Sequence, residues 1–190
     1  MPNPATGVLH SDLARLVAEI SDTQAHFETL CAGLTNAQFN WRPAPGRWSI
    51  AQCITHLNSI NGQDLAPMSA AIANAQARHP GPYNYPWIWR YLIRTVEPPV
   101  TTRFKVPKAY QPPPEAELDT TLDEYRRIST ALQDIIPRAN GLDIASVKTT
   151  LPAIRFLKMP LGARLHLLTA HDRRHLAQAR DVRTHANFPA

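Results

Sequence analysis

The segment LGARLHLLTAHDRRHLAQARDV, residues 161–182, places Leu161, Leu165, Leu168, His171, His175, Ala179 and Val182 at steps of three or four. That period is helical, and a stripe of this kind faces a core. Both histidines occupy positions that are otherwise apolar. Four residues apart, their imidazoles project from one face about a turn from each other. A buried imidazole needs a partner for each ring nitrogen, and two adjacent buried cations repel, so a shared metal ion would resolve the arrangement. A pair of neutral histidines bonded to core polar groups or water would resolve it as well.

Three more helical patterns lie upstream. Leu13, Leu16, Val17, Ile20, Phe27, Leu30, Cys31 and Leu34 predict a helix over about 11–34 with Ser11 as its cap. Ser49-Ile50-Ala51-Gln52 is a capping box, preceded by Trp48 as the staple residue facing Cys53. It opens a second helix over about 49–78, in which Asn61-Gly62 and Pro67 predict a bend or a weak middle. Leu118, Leu122, Tyr125, Ile128, Leu132 and Ile136 predict a third over about 117–137, closed by Pro137 and Asn140-Gly141. The fourth, which holds the histidine pair, is expected over about 160–184. No strand-like alternation of useful length and no internal repeat competes with these patterns.

Between the second and third helices, residues 79–117 hold nine of the 18 prolines and seven of the 14 aromatic residues. Proline at that density forbids a long helix, yet Trp87, Trp89, Tyr91, Leu92 and Ile93 are too apolar for water. A short helix is predicted over about 87–96, followed by extended chain, with the aromatic residues plugging the flank of the bundle. The alternative makes Tyr83, Tyr85 and the tryptophans a substrate-binding cluster. A connection this long, about 79–116, lets consecutive helices run parallel. The expected fold is therefore all-α, a four-helix bundle with one long Pro-rich crossover.

The 190 residues, 44% apolar and 18% charged, suit one domain over 1–190 and exclude a disordered or low-complexity chain. No uncharged apolar run approaches the roughly 18 to 20 residues that span a bilayer, and Met1-Pro2-Asn3-Pro4 lacks the layout of a signal peptide. A cytoplasmic protein without a membrane partner is expected. Cys31 and Cys53 form no C-x-x-C pair, which reads against disulfides and a cysteine-built zinc site. The net charge of +5 is concentrated in residues 146–190, where eight basic residues face only Asp172 and Asp181. Arg164, Arg173, Arg174 and Arg180 scatter around the helix and no aromatic residues interleave with them. The pattern reads as a solvated basic helix surface rather than a nucleic-acid partner's footprint.

A third ligand would come from another helix, and His56 on the second is the candidate, although it falls about 100° from the centre of its apolar stripe, toward a seam between helices. His10, His79 and His185 fall outside the helical cores. His26 and His166 flank apolar stripes, and these five read as solvated or locally bonded. Cys31 and Cys53 lie on apolar stripes and read as small core residues, with Cys53 the weaker alternative as an extra ligand.

Trp41-Arg42-Pro43, the run Trp48 to Leu57, and His171-Asp172-Arg173-Arg174-His175-Leu176-Ala177-Gln178 together resemble the DinB-like proteins, the DinB/YfiT superfamily of metal-binding four-helix bundles. The helix order and the Pro-rich crossover match too, so the resemblance covers nearly the whole chain. It implies that His56, His171 and His175 hold a divalent cation, commonly zinc or nickel, with water at open positions. It also implies a homodimer and thiol-transfer chemistry with a low-molecular-weight thiol. Leu151 to Leu161 departs from the family in being more basic, through Arg155 and Lys158. Three neutral histidines leave coordination positions free, as in catalytic rather than closed structural sites. Such an ion would activate a thiol or water. Gln178 could orient a ligand or simply mark a helix boundary, Gln52 belongs to its capping box, and Asp172 is a weak candidate for supporting His171. The functional classes left open are a metal-dependent transferase or hydrolase, a non-catalytic metal-binding stress or interaction module, and a metal-free helical dimer.

Overall fold

The computed structural model describes residues 8–75, 84–99, 106–151 and 154–190. Its elements are α1 (Ser11–Cys31), α2 (Asn36–Asn40), α3 (Ile50–Ala73), α4 (Trp87–Val96), α5 (Leu118–Ile135), β1 (Lys148–Leu151), β2 (Ile154–Pro160) and α6 (Leu161–Arg183), with 3-10 turns at Lys108–Tyr110 and Ile136–Ala139. The fold is all-α in character, carried by α1, α3, α5 and α6.

Side-chain pairs give the bundle its topology. Both α1 and α3 pack against α5 and against α6. Asn58 of α3 donates to the Thr121 carbonyl, and one turn on, Gly62 lies against Ile128, so α3 and α5 run parallel. Asn61 meets Asp172 whereas Asp64 meets Arg164, so α3 and α6 are antiparallel. At the other side of the bundle Asn140, just past α5, bonds the His10 amide, and Phe27 packs on Tyr125, which makes α1 antiparallel to α5. The parallel α3 and α5 pair is what the crossover length predicts.

One apolar cluster joins Leu13, Leu16 and Ile20 to Met68, Ile128, Leu132, Leu161, Leu165 and Leu168. A second joins Phe27 and Cys31 to Ile50, Cys53, Ile54, Leu57, Tyr125, Leu176 and Ala179. Each leucine, isoleucine, phenylalanine or methionine among them stabilises the fold by about 1.5–3 kcal/mol on full burial. Between the clusters lies a buried polar belt of Asn61, Asp64, Arg164 and Asp172.

Several boundaries differ from expectation. α1 ends at Cys31 rather than 34, because Gly33 at φ +73° reverses the chain into α2. His10, not Ser11, caps α1, with its Nδ1 accepting from the Asp12 amide. α3 runs uninterrupted through Asn61-Gly62 and Pro67 and ends at Ala73. The 76–78 end predicted for it lies outside the described residues, as do His79 and Tyr83. The short helix over 87–96 is present, but Trp87 is 69% and Tyr91 63% exposed. Only the face with Trp89, Leu92, Ile93 and Val96 plugs the flank.

The β1/β2 hairpin was not expected from the sequence. Thr149 pairs with Met159 and Thr150 with Lys158, and the register then shifts before Leu151. Its packing explains α6. Leu151 and Met159 from the hairpin, with Tyr85 and Val96, cover Ala163, Leu167 and Ala170 on the outer side of α6. The first amides of α6 bond the Val147 and Ile144 carbonyls in place of a side-chain cap. Tyr85 also fills the space a Cβ on Gly162 would need. With the bundle on one side and this layer on the other, 15 of the 23 residues of α6 are buried. The basic surface predicted there is therefore corrected: Arg164 and Arg174 are buried, and Arg173 is bonded to Glu19 and Glu97.

Candidate metal centre

The capping box predicted at the start of α3 is present in both directions, Ser49 Oγ accepting from the Gln52 amide and Gln52 Oε1 from the Ser49 amide. Such a cap contributes about 1 kcal/mol and fixes where the helix starts. His56 thereby sits two turns into α3, facing α6, where it is buried. α6 brings His171 and His175 to the same point from the opposite chain direction. One ligating atom from each of the three lies within 4.8 Å of the other two. The His171 and His175 Nε2 atoms are 3.0 Å apart, and the His56 ring centroid is 5.2 Å and 4.8 Å from theirs. The expectation that these three residues meet is realised, and His56, at the seam of its stripe, is drawn fully inward.

Protonation of the cluster is disfavoured. Burial lowers the His56 pKa, against the opposing effect of the Tyr110 carbonyl. Burial followed by the charge of the neighbouring histidines and arginines holds His171 and His175 well below the usual imidazole range. Neutral rings are what a cation requires, so the donor set fits a divalent ion and could hold one. His56 Nδ1 is 2.8 Å from the Tyr110 carbonyl, which fixes it as the donating nitrogen and leaves Nε2 for a ligand.

A cavity of about 1050 Å³ opens onto the three histidines. Trp48, Gln52, Arg174 and Gln178 line it together with the histidines, and Val96, Pro98, Val106 and Pro112 contribute from α4 and the crossover. Trp48 packs against the apolar cluster that contains Cys53, as a staple residue should, and also faces the histidines. Beyond any staple role, its ring stacks on His175 at 5.4 Å and 17° and meets His56 edge-on at 4.9 Å. Tyr110 was missed, because a backbone carbonyl inside a Pro-rich crossover leaves no sequence signal. The crossover is tied down here a second time, by Gln52 Nε2 donating to the Pro113 carbonyl.

The remaining candidates lie elsewhere. Cys53 is buried and its thiol is pushed up to about 12 by desolvation, so it belongs to the core. Asp172 turns away from His171, accepting from Asn61 at 2.9 Å and from the Tyr125 hydroxyl at 3.3 Å. His10 caps α1, His26 is exposed, His166 faces Tyr85, and His185 packs on Trp41.

A helical bundle whose first and second chain halves supply one and two histidines to an open pocket defines the class of protein. A family model described as the DinB superfamily matches residues 19–179, and the chain belongs to that superfamily. No curated protein and no solved structure matches it. Among the described residues no helix is long and apolar enough to cross a membrane.

Proposed function

We propose that the chain holds one divalent cation, zinc or nickel, through His56, His171 and His175, and activates a low-molecular-weight thiol, or water, for attack on an electrophile. The observation that carries the reading is the convergence of three neutral imidazoles at the floor of a cavity. Three protein ligands leave room for an exogenous one. Lewis acidity is what an ion at this point supplies, bringing the pKa of a thiol or water toward neutrality. In the thiol version the sulfur forms a bond to an electrophilic carbon, whose leaving group departs with its electron pair while the thiol proton passes to solvent.

The chain's own residues shape what can enter. Trp48 and the proline-rich side of the cavity exclude water from one flank, and Arg47 and Arg174 favour a ligand with an acidic group. Association into a homodimer is part of the same reading, rests on the family resemblance, and is tested by sedimentation; a cytoplasmic location rests on the sequence pattern alone. For the metal, zinc titration is the direct experiment. One ion per chain is expected, lost on His171→Ala combined with His175→Ala, and a parent chain that takes up neither zinc nor nickel contradicts the reading. Chemistry is tested by incubating metallated protein with thiols and electrophiles. Conjugates that form equally well with His56→Ala contradict a role for the ion.

A further inference from the structure

We propose that Gln178 is the positioning residue of the centre: its side-chain oxygen accepts a hydrogen bond from His175 Nδ1–H and so turns the His175 Nε2 lone pair toward the ion. The inference rests on the metal reading above and concerns a residue that reading does not use.

Two buried polar atoms of α6 have no partner among the described residues. His175 Nδ1 and Gln178 Oε1 are both inaccessible to solvent, and neither makes a hydrogen bond among the described residues. They stand three positions apart on α6, a spacing at which side chains are neighbours, and both residues line the same cavity. An orphaned buried polar atom is costly, so a ring nitrogen and an amide oxygen three positions apart on one helix can relieve each other by a rotamer change.

The tautomer follows from donor and acceptor inventory. A carboxamide oxygen can only accept, so pairing it with Nδ1 requires the proton on Nδ1. The neutral ring then has its lone pair on Nε2, the atom 3.0 Å from His171 Nε2. His56 is arranged in the same way, with Nδ1 on the Tyr110 carbonyl. Two of the three ligands would thus be oriented by an oxygen behind the ring, one supplied by the end of the crossover and one by the next turn of α6. Such partners behind a ligating histidine commonly change metal affinity by about 10- to 100-fold.

The test reads the metal-free and the zinc-loaded chain. A nitrogen-15 correlation spectrum of the histidine rings in the metal-free parent is expected to show His175 as the Nδ1–H tautomer. Gln178→Leu should weaken zinc binding by about 10- to 100-fold. Gln178→Glu, which keeps an acceptor, should restore it to the parent value or better. A parent His175 protonated on Nε2 overturns the proposal, as does a folded Gln178→Leu chain that binds zinc as tightly as the parent. A parent chain that binds no zinc overturns the metal reading alone, because the tautomer of the metal-free ring still decides the role of Gln178.

Discussion

Two buried polar groups share α3 and α6, and they are built on opposite terms. In the belt, Asp172 receives hydrogen bonds from Asn61 and Tyr125, and Arg164 meets both oxygens of Asp64. Both carboxylates of the belt are bonded within it or to Tyr125, and none of its four residues lines the cavity. In the histidine group, one ring nitrogen is satisfied by a backbone carbonyl, while among the described residues the Nε2 atoms of His171 and His175 face each other. His171 is half-buried while its two partners are buried, and this unequal satisfaction separates a group that specifies the packing from one arranged for something added from outside.

The sharpest way to break this comparison is to remove half of the belt. Asp64→Ala leaves the Arg164 guanidinium buried without its carboxylate and should cost about 3–5 kcal/mol in urea unfolding. Replacing both, Asp64→Leu with Arg164→Met, should recover most of that loss. The histidine group should behave in the reverse sense. Zinc at a hundred times its dissociation constant should stabilise the parent by about 2.7 kcal/mol and His171→Ala combined with His175→Ala not at all, as followed by thermal unfolding.

Acid and base should separate the two groups further. The folded pKa values of His56, His171 and His175 are depressed, so the unfolded chain binds protons first. Metal-free stability should therefore fall as pH drops below about 6.5, and the double histidine variant should flatten that loss. Burial pushes Asp172 the other way, from 3.8 to about 7. Its contribution is fully present below its unfolded value and is lost as pH rises through 7, so Asp172→Asn should remove that opposite slope. The smallest effect belongs to Trp48. Its contact with His175 and His56 predicts a zinc-dependent change in tryptophan emission that Trp48→Phe abolishes while the other three tryptophans remain.

Much of this was legible in the sequence because periodicity and capping are local. The stripe of α6 and the Ser49 to Gln52 box follow from spacing, the short helix at 87–96 from an apolar run among prolines, and the full histidine triad from the family resemblance, since His56 sits at the edge of its stripe. Other features depend on contacts between distant segments. The hairpin alternates too briefly to register, and without it α6 reads as a surface helix with solvated arginines. Once Leu151 and Met159 cover its outer side, those arginines need partners, which α1, α3 and α4 supply to Arg164 and Arg173. α2 could have been read: Thr35 and Gln38 form a capping box of the same kind as the one recognised at Ser49. The fixing of His56 by the Tyr110 carbonyl, 54 positions away, could not.

The central claim is that these three rings surround one ion, and anomalous scattering from a crystal grown with zinc tests it directly. The account predicts a single strong peak about 2.0–2.1 Å from one nitrogen each of His56, His171 and His175, with density for a further ligand on the cavity side. A map without a peak among these rings, or with the ion held by other residues, would contradict it.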